Sequence, residues 1–416
     1  MLFLTRLAFK NLARHRNRTI ITSIIIAFAV FAYILYDSLI GGMSEMSYAT
    51  IIDYEAGHLQ IVTEEYWRTE NEEKELPLEH LLFFDDELHS AIQRMEGFVA
   101  ASPELSFQAR LNNGWDELPV LGKGIDPETF GNVFALEHQF VEGSMFAPDE
   151  YQAVMGKRLA DLMELSVGDY ITLLVKDKAG TFNTIEAEVT GLVHTSNPNV
   201  NQNIVYLPMG LVEQGLSVDG QVSKVIIRLE NKEMAPTRAA ELERSLKEID
   251  DRLAVYPWQE LEAVSFIGAA ELEKQLIFVI ILLIGAIAIV NTVILAALER
   301  MGEIGMMKAL GLQNKEVVFT FVLESTGIGI IGGVAGLLMG TVGVWLMAKY
   351  GVDFGGLVGM DMASFGLPII GKLYGVWNPA AFIWVFTFVV LTSLLASILP
   401  AYWAADKDPV KTIYQR

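Results

Sequence analysis

The 416 residues are 52% hydrophobic, with a mean hydropathy of +0.36, yet the formal net charge is −21. A soluble globular protein is rarely both so apolar and so acidic, so the two characters are segregated: apolar membrane helices beside an acidic, water-exposed domain. The acidity disfavours nucleic acid and anionic lipid surfaces as partners, and the lack of cysteine excludes disulfides, thiol catalysis and Cys-ligated zinc.

Residues 1–18 carry Arg6, Lys10, Arg14, Arg16 and Arg18 and no acidic residue. Residues 19–41 are the first predicted span, since a hydrocarbon core needs roughly 20 apolar residues. The apolar run exceeds the roughly 7–15 residues of a signal-peptide core and ends in no small-x-small site, so it reads as a retained anchor. Basic residues near a span end hold that end in the cytoplasm. The N-terminus is therefore expected inside.

Residues 42–272 form the predicted extracytoplasmic domain, inserted between spans one and two and large enough for one or two small domains. It opens with a helical continuation of span one to about residue 56. Residues 58–62 alternate as a strand. Residues 63–86 are dense in Glu and read as an exposed insertion, followed by a helix over 86–95 with Asp85 or Asp86 as N-cap. Strands are expected over 99–111, 118–124, 170–175, 184–193, 204–207 and 222–229. Helices are expected over 156–163 and 236–252, a turn over 167–169, a hairpin turn over 178–180 and a loop over 197–199. A polar helix after Trp258 leads into span two. Interspersed strands and helices make this domain α+β.

The second span is predicted over 273–298, a cytoplasmic segment over 299–316 and the third span over 317–348. An extracytoplasmic loop over 349–379, the fourth span over 380–400 and a cytoplasmic tail over 401–416 complete the chain. The third span is overlong and has room to tilt. Arg300, Lys308 and Lys315 fall inside, as do Lys407, Lys411 and Arg416, in agreement with the basic bias. The fold class expected is thus a multi-pass membrane protein with four transmembrane α-helices and a large α+β domain between the first two.

Several constellations bear on chemistry. Gly332, Gly336 and Gly340 share one face of span three, where small residues let helix backbones approach, within one subunit or between two. Glu324, near the start of that span, reads either as a hydrogen-bonded interfacial acid or as a proton relay. No basic residue inside a span completes a relay. The six histidines form no metal-ligand pair, and the Glu run over 64–79 lacks the Asp/Asn-Gly spacing of a calcium loop. No Gly-x-x-x-x-Gly-Lys-Ser/Thr occurs, so the chain is not expected to hold nucleotide phosphates or any cofactor. No nucleophile–base pair or carboxylate dyad stands out, and catalysis is not expected.

The stretch Ala297-Leu-Glu-Arg-Met-Gly-Glu-Ile-Gly-Met-Met-Lys-Ala-Leu-Gly311 lies between two apolar runs. It resembles the coupling segment of ABC-transporter permeases of the FtsX/MacB/LolC–LolE type. Four other stretches resemble the same family in the same order. They are Arg6-Leu-Ala-Phe-Lys-Asn-Leu-Ala-Arg-His-Arg-Asn-Arg-Thr19, like its opening amphipathic helix, and Leu121-Gly-Lys-Gly-Ile-Asp-Pro127. The others are Val154-Met-Gly-Lys-Arg-Leu-Ala-Asp-Leu-Met-Glu-Leu-Ser-Val-Gly-Asp169 and Pro400-Ala-Tyr-Trp-Ala-Ala-Asp-Lys-Asp-Pro-Val410. Residues 64–117 carry none of these motifs.

The resemblance implies a permease in the bacterial cytoplasmic (inner) membrane, both termini cytoplasmic, working with a separate cytoplasmic ABC ATPase that binds the ATP. It also implies a second permease subunit, identical or homologous, and a periplasmic carrier or adaptor. Glu303, Ile304, Gly305, Met307, Lys308, Ala309, Leu310 and Gly311 would form the ATPase contact. Ile304, Met307 and Leu310 would make its apolar face, with Glu303 and Lys308 at a polar rim. The length and the single large domain look most like the lipoprotein-releasing LolC–LolE branch. Residues 20–34 and 277–290 hold no charge, and Phe31, Leu35 and Phe278 are candidates for an acyl-chain path. Two rivals stay open: a MacB-like export permease, and an FtsX-like regulator of cell-wall hydrolases that transports nothing, against which the large domain argues.

Overall fold

The computed structural model describes residues 8, 10, 12, 14, 16–73, 76–148, 150–261, 264, 275–287, 290–291, 294–295, 306–308, 311–353, 356 and 372–406. They divide into two compact units. One is helical (1–44, 269–353 and 372–416); the other is α+β (45–268 with 354–371).

The chain enters on helix α1 (Arg16–Ile51), which contributes to both units. As expected, helical structure continues past the apolar run: a π-helical turn over Ile52–Ala56 follows and is stopped at Gly57, φ 63°. That turn is fastened within the α+β unit. Asp53 meets Arg228 at 2.6 Å, and the Glu55 carboxylate accepts from Asn197 Nδ2 at 3.0 Å and Asn199 Nδ2 at 2.7 Å.

Strand β1 (Leu59–Thr63) is buried at every position, so both its faces are covered, where simple alternation had been expected. The acidic stretch after it is not a solvated insertion. Thr63 caps helix α2 (Glu64–Arg68), Tyr66 is fully buried, and the Trp67 ring stacks on Tyr256 at 3.8 Å. The aromatic pair draws the segment onto the sheet; Glu64, Glu65, Glu72 and Glu73 stay exposed while Glu70 turns in to pair with Lys224. β2 (Leu82–Phe83) then precedes α3 (Asp86–Gln93), capped by Asp85 Oδ1 accepting from Leu88 N at 2.9 Å.

β3 (Phe98–Asn112) is the longest strand described and pairs with β4 (Glu117–Ile125) along its second half. The Gly-x-Gly of β4 has a packing reason. A Cβ on Gly122 would meet the Phe107 ring at 2.2 Å, and one on Gly124 would meet Val212 at 2.9 Å. Asp126 then caps α4 (Pro127–Val133), with proline in its first turn, where a missing N–H costs nothing.

The remaining strands are β5 (Phe140–Gly143), β6 (Gln152–Gly156), β7 (Tyr170–Lys176), β8 (Phe182–Val193) and β9 (Ile204–Pro208). After them come β10 (Gln221–Val222), β11 (Lys224–Leu229) and β12 (Leu253–Pro257). Between them run α5 (Lys157–Leu162), α6 (Pro198–Asn203), α7 (Met209–Leu216) and α8 (Ala235–Leu246). Three expectations change here. Asn197 caps a helix where a loop was expected. The strand over 222–229 breaks at Ser223, whose hydroxyl accepts from Ser106 N at 2.9 Å. The helix expected over 236–252 ends at Leu246, leaving Ile249 outside it.

The strand order is β12-β1-β11-β3-β4-β9-β6-β8-β5, with β7 bridging β3 and β8. That bridge closes β3-β4-β9-β6-β8-β7 into a six-membered ring, a small barrel filled by Leu105, Phe107, Leu111, Met155, Leu173 and Val205, among others. The β12-β1-β11 extension is covered by α3 and α8 through Leu88, Ile92, Leu242 and Leu246.

The helical unit continues with α9 (Gln275–Ile287), α10 (Asn314–Tyr350) and α11 (Pro379–Ala405). Among the described residues three helices are long and apolar enough to cross a membrane: those containing 19–56, 314–350 and 379–403. The second span expected over 273–298 is represented by the shorter α9, and much of its remainder lies outside the described residues, as does most of 1–18. Where 1–18 is described, Ala8 and Leu12 are buried while Lys10 and Arg14 are exposed.

Candidate functional site

The helical unit is organised around the glycines of α10. A Cβ on Gly332 would lie 2.8 Å from Ile26, on Gly336 2.6 Å from Val30, and on Gly340 2.8 Å from Ile34. These are successive turns of α1, so the glycine face lets α1 lie against the α10 backbone. Gly329 and Gly333 turn the other way, towards Ser393 and Phe386 of α11. α10 is therefore held between two helices of the same chain.

A narrow apolar crevice of about 20 Å³ lies where α1, α9 and α11 meet, against Ile26, Val30, Leu282, Gly285, Val385 and Phe388. No charged side chain lines it. Outward from the seam, α1 and α9 present Ile24, Phe28, Leu283 and Ile287 to their surroundings, as lipid-facing helices do.

The three candidate path residues do not converge. Phe278 packs on Tyr33, ring centroids 4.5 Å apart. Phe31 and Leu35 instead lie against Gly343 of α10. A polar latch the sequence did not reveal sits beyond them: Asn378 Nδ2 donates to Asp37 Oδ2 at 3.1 Å, and Val376 N to Ser38 O at 3.2 Å. It ties the entry of α11 to α1.

Of the candidate coupling residues, Met307, Lys308 and Gly311 are described; Glu303, Ile304, Gly305, Ala309 and Leu310 lie outside the described residues. A helical turn over 306–308 ends where Gly311 adopts φ 99°, a conformation that favours glycine, with Leu312 N donating to Met307 O at 3.1 Å. Gln313 and Glu316 then form a reciprocal cap that starts α10. Met307 packs against a cluster made by Val317, Phe321, Ala401 and Ala405. The Lys308 ammonium donates to Ala405 O at 2.8 Å, at the C-terminal end of α11, where the helix dipole favours a cation. Glu324 is buried on α10, beside the buried Thr320 and Ser325.

Apolar helices joined at a glycine seam, together with an inserted α+β unit built on a small barrel, define the class: a membrane permease with a large water-exposed domain. Comparison with known proteins gives the family. Residues 19–245 match the MacB-like periplasmic core domain, and residues 276–409 match the FtsX-like permease C-terminal region. The chain belongs to this family of ABC-transporter permeases.

Similar proteins include the lipoprotein-releasing system transmembrane protein LolC of Neisseria meningitidis serogroup B. It is 24% identical over 77% of this chain and 79% of that protein. LolE of Haemophilus influenzae is 23% identical over 78% of this chain and 80% of its own length. The macrolide export ATP-binding/permease protein MacB of Hyphomonas neptunium is 24% identical over 78% of this chain, which spans 48% of that longer protein.

Proposed function

We propose that this chain is a permease subunit that extracts lipid-anchored proteins from the outer leaflet of the bacterial cytoplasmic membrane. It works with a cytoplasmic ABC ATPase, which binds the ATP, and with a second permease subunit, identical or homologous. A periplasmic carrier receives the substrate. The supporting observation is the uncharged crevice between α1, α9 and α11, flanked by lipid-facing apolar surfaces. Acyl chains leave a bilayer at about 0.8 kcal/mol per CH₂, so extraction needs both an apolar path and an energy source. A hydrophilic solute would need hydrogen-bonding groups along the same path. The similarity to LolC and LolE over more than three quarters of the chain supports this branch.

In this reading the termini and residues 299–316 are cytoplasmic, as the basic residues there favour, and residues 42–272 lie outside. The turn at 306–311 meets the ATPase, and its attachment to α11 through Lys308 gives it a rigid footing.

A photo-crosslinker placed singly at Ala29 and Phe388 of the crevice, and at Phe31, Leu35 and Phe278, in native membranes tests the path. Capture of lipoproteins at these positions is the expected result. Capture of neighbouring helices and bulk phospholipid alone, with normal lipoprotein sorting after deletion of the gene, favours the export reading, which the similarity to MacB also supports.

A further inference from the structure

The helical seam leaves unexplained a concentration of buried charge on the outer wall of the barrel. A cavity of about 210 Å³ opens there, bounded by β3, β4, β11, the end of α1 and the segment after β1. Its charged lining is Glu55, Glu70, Glu104, Lys123 and Lys224. Glu104 is 1% exposed and Lys123 4%. Strand register brings them together: Lys224 lies opposite Glu104, and Lys123 opposite Ser106.

The hydrogen bonds of this cluster can be followed atom by atom. Glu104 accepts from Ser106 Oγ at 2.7 Å and from Lys123 Nζ at 3.0 Å. Both oxygens of Glu55 are held by Asn197 and Asn199. Lys224 Nζ donates to Glu70 Oε1 at 2.8 Å and lies 5.8 Å above the Tyr66 ring. Burial is the largest single influence and opposes the Lys224 charge, but Glu70, Tyr66 and Glu104 together outweigh it and hold the pKa above the ordinary lysine value. An ammonium has three donors. Among the described residues, Lys123 and Lys224 each use one on a protein oxygen. On the acceptor side, Glu70 Oε2, Asn71 Oδ1 and Gln60 Oε1 receive no protein donor among the described residues.

Buried polar groups are costly unless matched, so the remaining lysine donors call for an acceptor-rich occupant. The lining sets two ammoniums against three carboxylates, which repels a bare anion. A bare cation would leave the lysine donors unmatched. The Trp67 side chain and Leu121 supply an apolar wall.

We propose that this cavity binds a small zwitterion of the α-amino-acid class, its carboxylate accepting from Lys123 and Lys224 and its ammonium donating to Glu70 and Asn71. The site stands independently of the transport reading. Its occupant would touch Glu55 and the π-helical turn at the end of α1.

The test uses the full chain in detergent. Thermal unfolding is followed with a pool of the protein L-amino acids, then with each alone, and with succinate and ethanolamine as probes that carry charge of one sign only. At least one amino acid should raise the unfolding temperature saturably, with one site by calorimetry. Neither succinate nor ethanolamine should do so. Glu70→Gln, which keeps an acceptor for Lys224, and Asn71→Ala, at a half-exposed position, should each weaken that binding about tenfold. Should one variant fail to fold, the other carries the comparison. An absence of any amino-acid effect overturns the proposal. So does equal binding of succinate or ethanolamine, or wild-type binding in a folded variant; each would mean that water alone satisfies these groups.

Discussion

His58 gives the α+β unit a pH-dependent stability. Its ring is buried, and Nδ1 accepts from Leu229 N at 2.9 Å, so the neutral ring is the bonded form. Burial first, and the nearby Arg228 second, lower its pKa from 6.5 to about 4. The unfolded chain therefore binds a proton that the folded chain refuses as pH falls from 6.5 towards 4. The resulting loss of stability has a slope of at most about 1.4 kcal/mol per pH unit. Thermal unfolding across this window should show the loss, and His58→Gln, which keeps an acceptor for Leu229, should remove that part of it. An unchanged pH slope in the variant would assign the effect to carboxylates instead.

The Lys123–Glu104 pair is a second residue-scale case. Lys123→Met leaves a buried carboxylate with Ser106 alone and should cost about 3–5 kcal/mol, whereas Lys123→Met with Glu104→Leu should recover most of that loss. Chemical denaturation of both variants distinguishes a costly orphan charge from a strongly stabilising pair; in the second case the double variant stays as weak as the single. The sequence did not single out this pair: Ser102, Glu104, Ser106, Gln108 and Arg110 are all polar positions alternating along β3. It could not supply the partners of Glu104, because Lys123 and Lys224 reach it only through strand register.

Among the elements, helix α10 joins packing to function most directly. A Cβ on Gly336 meets Val30 Cβ at 2.6 Å and the Ala27 carbonyl oxygen at 2.7 Å, and the latter is backbone that cannot rotate aside. Gly336→Ala should therefore separate α1 from α10 and destabilise the helical unit by about 1–3 kcal/mol. Gly285→Ala on α9 is the control, because nothing lies within 4 Å of the added carbon. Retention of folded monomer by size exclusion after mild heating measures both. Equal behaviour of the two variants would place the glycine face elsewhere than in the α1 contact. The four-residue glycine spacing was legible in the sequence as a packing face, although its partner was not.

Strand and cap signals were also legible where chemistry is local: Asp85 before its helix, the hairpin over 178–180, and the long β3. They failed where tertiary contacts decide. The acidic run after β1 looked solvated, yet Tyr66 and Trp67 within it are what the sheet captures. Ser223 interrupts an apparently single strand because its hydroxyl bonds across to β3.

For the whole molecule, family and class were readable because five motifs occur in order along a chain of segregated apolar and acidic segments. The assembly's mechanics are a matter of proposal, and residues 299–316 are where they can be tested. The described part of this segment is tied down at three points: Met307 in an apolar cluster, Lys308 on the end of α11, and Gly311 in a turn only glycine adopts easily. A segment so fixed can pass a push from a docked partner to α10 and α11 without dissipating it in local motion. Glu303→Arg reverses a charge at the proposed contact, and Gly305→Pro removes a backbone donor, at a cost of about 3 kcal/mol in the coupling helix that this proposal assigns to the segment. Both substitutions should leave the ATPase bound in co-purification but separate ATP hydrolysis from substrate release in a reconstituted complex. Lys308→Met should instead loosen the footing and lower the two activities together. Wild-type release by both Glu303→Arg and Gly305→Pro, with the ATPase still bound, would remove this segment from the coupling path.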